Sequence, residues 1–130
     1  TLGLLEEVSS VYKRYLNQRT EDLNSELCVV ALLRTELDAH TVGKKLNLLS
    51  EDSDMLLLAY NRQVQLLPSL PLPHPQLHSD SLTMRCAAEI YGAYEHPVLG
   101  QTLKELVKSS ESTKLIEFYS QGRNFLGANS

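Results

Sequence analysis

The chain of 130 residues contains no tryptophan, and only 6% of its residues are aromatic. Its hydrophobic core must therefore be built mainly from Leu, Val and Ile, which is feasible because 42% of the residues are hydrophobic. The chain also lacks a basic excess. Its formal net charge is −4, so it offers no positive surface for nucleic acid. These proportions are typical of one soluble globular domain, which we expect to span residues 1–130.

Long apolar stretches and targeting signals are missing as well. No run approaches the roughly 18 apolar residues of a transmembrane helix. Residues 1–10 lack the basic start and the long apolar middle of a signal peptide. Both cysteines, Cys28 and Cys86, stand among apolar residues, which favours buried free thiols over the alternative of a disulfide. We therefore expect a cytoplasmic protein that does not bind membranes.

Common catalytic and phosphate-binding motifs are also absent. The sequence has no G-x-S-x-G, no G-x-x-x-x-G-K-[ST] and no G-x-G-x-x-G, and neither cysteine has a nearby histidine. Nucleophilic catalysis is therefore poorly supported. Any phosphate would be bound through a metal ion and scattered donors.

Apolar periodicity predicts a mixture of strands and helices. We predict strands at 6–15, 26–36 and 53–60, a turn at Asn61-Arg62 with a hairpin partner at 63–67, helices at 38–50, 81–92 and 102–109, and either state at 113–120. Asp38 is a plausible N-cap, and Thr102 with Glu105 has the capping-box spacing. Four of the five prolines fall in residues 68–75, which predicts a rigid segment that is neither a helix interior nor a central strand. This order predicts an α+β fold with a mostly antiparallel sheet and helices packed on it.

Two aspartates at the start of the third predicted strand are the first candidates for chemistry. In a strand, side chains two residues apart point to the same side, so Asp52 and Asp54 would face one way. Paired carboxylates suit a hard cation such as Mg²⁺, which prefers carboxylates together with substrate phosphate oxygens. An acidic surface loop that includes Glu51 is the alternative.

His74 is the second candidate, because Pro73 and Pro75 flank it. The two prolines would hold the ring rigidly as a hydrogen-bond donor to a phosphate. A solvated loop histidine is the alternative. His78 follows at helical spacing, but the prolines disfavour a regular helix there, so a zinc pair is not expected.

Taken in order, these stretches resemble the 6-hydroxymethyl-7,8-dihydropterin pyrophosphokinase (HPPK) family of the folate pathway. The similar segments, within residues 5–108, are VSSVYKRY, VVALLRTEL, DSDMLLLAYN, LPLPHPQLH, AAEIYGAY and EHPVLGQTLKEL. The resemblance implies a ferredoxin-like sandwich that transfers diphosphate from ATP to the hydroxymethyl group of the pterin. It also implies that Asp52 and Asp54 bind Mg²⁺ and that His74 contacts ATP.

The resemblance is incomplete before the aspartates. Nothing matches the family's first strand with its G-S-N motif. Residues 46–51 lead directly into Asp52, where the family has a long loop that supplies arginines to the transferred phosphate. If the first strand is absent, we expect a second copy or a partner protein to cover an exposed sheet edge.

Three further family positions carry different chemistry in this chain. The phosphate-binding arginine after the PHP segment falls on Asp80, and the aromatic residue that stacks on the pterin falls on Leu82. The pterin-binding asparagine falls on Cys28 or on Asn24, depending on the alignment. Loss of one electrostatic donor typically costs ~3 kcal/mol of transition-state stabilisation. The chain is therefore either a weakly equipped enzyme or a degenerate member that binds a ligand or a protein.

Overall fold

The computed structural model describes residues 3–15, 25–50, 55–109 and 116–121. The elements in chain order are β1 (Leu4–Val8), β2 (Val11–Tyr15), β3 (Ser25–Cys28), β4 (Ala31–Arg34), α1 (Ala39–Leu49), α2 (Gln76–Ser79), α3 (Ser81–Tyr91), α4 (Leu103–Ser109) and β5 (Ile116–Ser120). All pairings between these strands are antiparallel, which confirms the predicted α+β class. The ferredoxin-like arrangement and the extent of the domain stay predictions.

An interruption divides the N-terminal pair of predicted strands. β1 pairs with β4 in a two-stranded sheet, and β2 pairs with β3 in a second sheet. Between the pairs Val8–Ala31 and Tyr12–Cys28, three residues on one side stand opposite two on the other. The same two stretches of chain therefore contribute to both sheets.

Ser9 bridges this interruption. Its backbone N–H donates to the Val30 carbonyl at 2.8 Å, and the Val30 N–H donates to Ser9 Oγ at 2.9 Å. The fully buried Ser9 side chain thereby satisfies an amide that the ladder no longer pairs. Strands form in both predicted stretches, 6–15 and 26–36, but each stretch is divided into two strands, because alternating apolar residues carry no signal for such a break.

The three-stranded sheet has the order β3-β2-β5. β5 pairs with β2, so the strand alternative for residues 113–120 is confirmed where the structure describes them. The Tyr12 and Phe118 rings meet edge to face across this pair, with centroids 6.3 Å apart. Helix α3 packs on the sheet and places Cys86, which is fully buried, against β3.

The predicted helices form, and the predicted caps of α1 and α4 are confirmed. α1 begins after Asp38, whose Oδ1 accepts a hydrogen bond from the Thr41 N–H at 2.8 Å. α4 follows a reciprocal capping box, in which the Thr102 N–H donates to Glu105 Oε1 at 2.8 Å and the Glu105 N–H donates to Thr102 Oγ1 at 3.2 Å. No helix in the described part of the chain is both long enough and apolar enough to cross a membrane.

An aliphatic cluster forms the core under α2, α3 and α4. Its buried members are Leu77, Met84, Ala87, Leu103 and Leu106. Leu58 and Ala59 pack against its side, whereas Met55 and Leu56 are exposed. The core contact therefore accounts for the apolar residues of the second half of this segment without a sheet.

The predicted strand at 53–60 is wrong for its described part. Residues 55–60 form no regular strand, and residues 53–54 lie outside the described chain. A run of apolar residues signals burial, and the helical core provides that burial here.

The turn after this segment is confirmed, but its predicted hairpin partner pairs elsewhere. Asn61 has a φ of 51°, and the Gln63 N–H donates to the Tyr60 carbonyl at 3.0 Å. Gln65 forms an isolated antiparallel bridge with Leu72, next to a cis Leu72-Pro73 bond. The proline-rich segment therefore folds back on residues 63–67.

Candidate functional site

His74 is held by three hydrogen bonds near the end of the proline-rich segment, residues 68–75. Its N–H donates to the Leu58 carbonyl at 2.7 Å, and its carbonyl accepts from the Leu77 N–H at 2.9 Å. Its ring Nδ1 accepts from the Gln76 N–H at 3.1 Å. Backbone and ring are thus both oriented, as the flanking prolines predicted.

These bonds determine where the ring carries its proton. Because Nδ1 accepts from an amide, it is unprotonated, and the neutral ring carries its hydrogen on Nε2. Partial burial lowers the pKa of His74 below its ordinary value of 6.5, so the neutral form dominates near neutral pH. His74 therefore offers one ring N–H as a donor, the property that the sequence predicted for a phosphate contact.

The predicted magnesium ligands, Asp52 and Asp54, lie outside the described residues. The residues that flank them are bonded to each other, since the Met55 N–H donates to Ser50 Oγ at 3.2 Å. Ser50 Oγ in turn donates to the Leu46 carbonyl at the end of α1 at 2.9 Å. Within the described chain, no three His, Cys, Asp or Glu side chains gather into a group that could hold a metal ion.

Asp80 is fully engaged at the position where the resemblance places a phosphate-binding arginine. It caps α3, where Oδ2 accepts from the Thr83 N–H at 3.1 Å and from Thr83 Oγ1 at 2.7 Å. Its Oδ1 accepts from Arg14 Nη1 at 2.5 Å. Arg14 also binds Glu26, with Nη2 2.8 Å from Oε1.

The electrostatics of this triad oppose an anionic ligand. Burial raises the pKa of Asp80, but hydrogen bonds from Thr83 and Arg14 outweigh it and hold the pKa below its ordinary 3.8. Burial likewise disfavours charge on Arg14, yet its bonds to Asp80 and Glu26 raise its pKa. One positive and two negative charges leave a net charge of −1. The triad would therefore repel a phosphate.

The structure describes only part of the other two positions that the resemblance singles out. Leu82 is only 2% exposed, so it belongs to the core and cannot stack on a ligand. Cys28 is partly exposed, and Asn24 lies outside the described residues. The alignment of the pterin-binding asparagine therefore stays open.

Sequence reasoning missed a cluster around Tyr12. The Tyr12 hydroxyl donates to Glu89 Oε2 at 3.0 Å, and Glu89 Oε1 accepts from the Ser10 N–H. The Arg85 guanidinium lies over the Tyr12 ring, 5.1 Å from its centroid. Arg85 and Glu89 are four residues apart on α3, and that helical spacing is the signal that could have indicated them.

His96 was also missed as a structural residue. It is buried, and its Nδ1 accepts from the N–H groups of Val98 and Leu99 at 3.2 and 3.1 Å. His78 lies edge to face against it, with ring centroids 5.3 Å apart. Burial, followed by the nearby His78, lowers the pKa of His96. A neutral His96 thus closes the turn before α4.

Neither the models of known protein families nor the curated proteins match this chain. The HPPK resemblance therefore stays a prediction from the sequence motifs.

Proposed function

We propose that this chain is an HPPK-like domain with a ferredoxin-like arrangement that binds ATP with Mg²⁺. The reaction that its motifs indicate is transfer of diphosphate from ATP to the hydroxymethyl oxygen of 6-hydroxymethyl-7,8-dihydropterin. The observation that carries the proposal is the hydrogen bond between His74 and Leu58.

That bond joins two motifs that are distant in sequence. The His74 N–H donates to the Leu58 carbonyl at 2.7 Å, and Leu58 is the fourth residue after Asp54. A nucleotide site built from the PHP histidine and the aspartate pair needs these two segments to be neighbours. The His74 ring adds an Nε2 donor for a phosphate oxygen.

In this proposal, Asp52 and Asp54 hold Mg²⁺, which offsets the charge of the ATP phosphates. His74 donates its Nε2 hydrogen to one phosphate oxygen and orients it. Neither contact replaces the positive charge of the family's arginine loop. Since phosphoryl-type transfer depends on positioning and on positive charge around the phosphates, we expect slow turnover.

A second candidate is a non-catalytic family member that binds a ligand or a second copy of the chain. The ion pair of Asp80 with Arg14 and the burial of Leu82 favour it, because both positions now serve the fold. Strand β1 pairs only with β4 among the described strands, and its Leu4 and Leu5 are 70% and 55% exposed. Exposed apolar residues on such a strand favour pairing with another chain.

Thermal unfolding with and without Mg²⁺ and a non-hydrolysable ATP analogue tests the first proposal. A ligand at 100 times its Kd stabilises the fold by roughly 2.7 kcal/mol. We expect such a shift for the wild type and a much smaller one for Asp54→Asn and His74→Gln. Two matched controls, Asp38→Asn and His40→Gln, change an aspartate and a histidine elsewhere and should keep the shift.

Product analysis then separates the two candidates. Incubation with ATP, Mg²⁺ and the pterin should release AMP if diphosphate is transferred. A nucleotide-dependent shift without AMP would support the non-catalytic member. Absence of any shift with the nucleotide or with the pterin would contradict both nucleotide and pterin binding. A mass that rises with protein concentration would support binding of a second copy.

A further inference from the structure

The fold brings the two cysteines of the chain together. Cys28 ends β3, and Cys86 lies in the middle of α3, which packs on that strand. Cys86 Sγ donates to the Cys28 carbonyl at 3.5 Å, and both residues are free thiols. Because 58 residues separate them in sequence, this proximity is a property of the tertiary structure.

The two thiols differ in access and in acidity. Cys86 is 0% exposed, whereas Cys28 is partly exposed. The interaction with the Cys86 thiol lowers the pKa of Cys28, and Thr83 and Arg14 act in the same direction, while burial and the charge of Asp80 oppose them. The same interaction with Cys28, together with burial, raises the pKa of Cys86. Cys28 is therefore the more reactive and more accessible thiol, and Cys86 is its protected neighbour.

We propose that Cys28 is a site of oxidation by hydroperoxides and that Cys86 converts the oxidised sulfur into an intramolecular Cys28–Cys86 disulfide. This inference does not depend on the proposed nucleotide binding. It assigns a reaction to a partly exposed thiol whose partner lies on the facing helix.

The reaction balances in two steps. In the first, the Cys28 thiolate attacks one oxygen of hydrogen peroxide, an S–O bond forms, and the O–O bond breaks. The leaving hydroxide takes a proton to become water, and Cys28 becomes a sulfenic acid. In the second step, Cys86 sulfur attacks Cys28 sulfur, the S–O bond breaks, and the hydroxyl leaves with the Cys86 proton as water. Overall, two thiols are oxidised, and one peroxide is reduced to two water molecules.

The reduced full-length chain treated with hydrogen peroxide tests this proposal. We expect the intact mass to fall by two hydrogen atoms and both free thiols to disappear together. Proteolysis without reductant should yield one linked pair of peptides carrying Cys28 and Cys86, and dithiothreitol should separate them. Disulfides only between chains, or two thiols that survive the exposure, would overturn the proposal.

Serine variants test the order of the two steps. In Cys86→Ser, the Cys28 sulfenic acid has no partner, so dimedone should trap it and the mass should show one adduct. In Cys28→Ser, the buried Cys86 should resist the same exposure. Equal oxidation of both variants would contradict the assigned roles. The linked-peptide experiment on the wild type decides the proposal even if a variant fails to fold.

Wild-type chain in denaturant is the matched control. Unfolding removes the contact between β3 and α3, so the yield of the intramolecular disulfide should fall several-fold at the same peroxide exposure. An unchanged yield would show that the tertiary contact does not direct the reaction.

Discussion

Replacement of Asp80 tests whether this carboxylate stabilises the fold both as the cap of α3 and as the partner of Arg14. Asp80→Asn keeps a side-chain oxygen for the cap of α3 but removes the charge that pairs with Arg14. Asp80→Ala removes both. We therefore expect the order of stability to be wild type, then Asp80→Asn, then Asp80→Ala.

The magnitude follows from the two roles of the carboxylate. Loss of a helix N-cap costs about 1 kcal/mol. The side chains of Arg14 and Asp80 are 24% and 18% exposed, so their ion pair is partly screened and contributes about 1 kcal/mol. Asp80→Asn should thus lose about 1 kcal/mol and Asp80→Ala about 2 kcal/mol of unfolding free energy. For a chain of this size, each kcal/mol corresponds to roughly 4 °C in Tm.

The loss of unfolding free energy caused by Asp80→Ala should also depend on pH. The folded chain holds the pKa of Asp80 below its ordinary value of 3.8. A lowered carboxyl pKa contributes stability that is present above the unfolded pKa and is lost as the pH falls through the folded pKa. The difference between wild type and Asp80→Ala should therefore shrink in acid below 3.8.

Urea and thermal unfolding of the three proteins measure these differences. Asp38→Ala is the matched control, because Asp38 caps α1 through the Thr41 N–H and has no ion pair with any residue that the structure describes. It should be less destabilising than Asp80→Ala. Equal stability of wild type and Asp80→Ala, or of the two Asp80 variants, would refute the double role of this carboxylate.

Three further predictions address the rest of the fold. Ser9→Ala should cost about 1–3 kcal/mol in urea unfolding, because the Val30 N–H loses its acceptor in a buried site, whereas the exposed Ser69→Ala should be neutral. Thr102→Ala should cost about 1 kcal/mol by removing the cap of α4, measured by thermal unfolding. Burial lowers the pKa of His96 below 6.5, so its stabilisation is complete above that pH and is lost as the pH falls below it. His96→Asn should therefore flatten the fall in stability as the pH drops below 6.5, and an unchanged slope would assign the titration elsewhere.

The features that could be predicted from the sequence are local ones. Asp38 and the pair Thr102 and Glu105 signalled the starts of α1 and α4, because N-capping depends on residues three positions apart. The flanking prolines of His74 likewise predicted a rigid histidine. Its Nε2 donor follows from one local bond, to the Gln76 N–H.

Features that depend on distant parts of the chain could not be predicted. The interruption at Ser9 is bridged by hydrogen bonds to Val30, and nothing in the spacing of either segment shows this. The apolar residues at 55–60 signalled burial but not whether a sheet or a helical cluster provides it. The pairing of Asp80 with Arg14, 66 positions away, became visible only in the folded chain.

The most direct test of the nucleotide proposal is nitrogen NMR of the histidine rings during titration with Mg²⁺ and a non-hydrolysable ATP analogue. The proposal predicts that free His74 has an unprotonated Nδ1 and a protonated Nε2. The nucleotide should then shift the Nε2 resonance of His74 and leave the exposed His40 unchanged. A His74 ring with the opposite tautomer, or one whose resonances do not respond to the nucleotide, would contradict the proposed role of His74 as the phosphate donor.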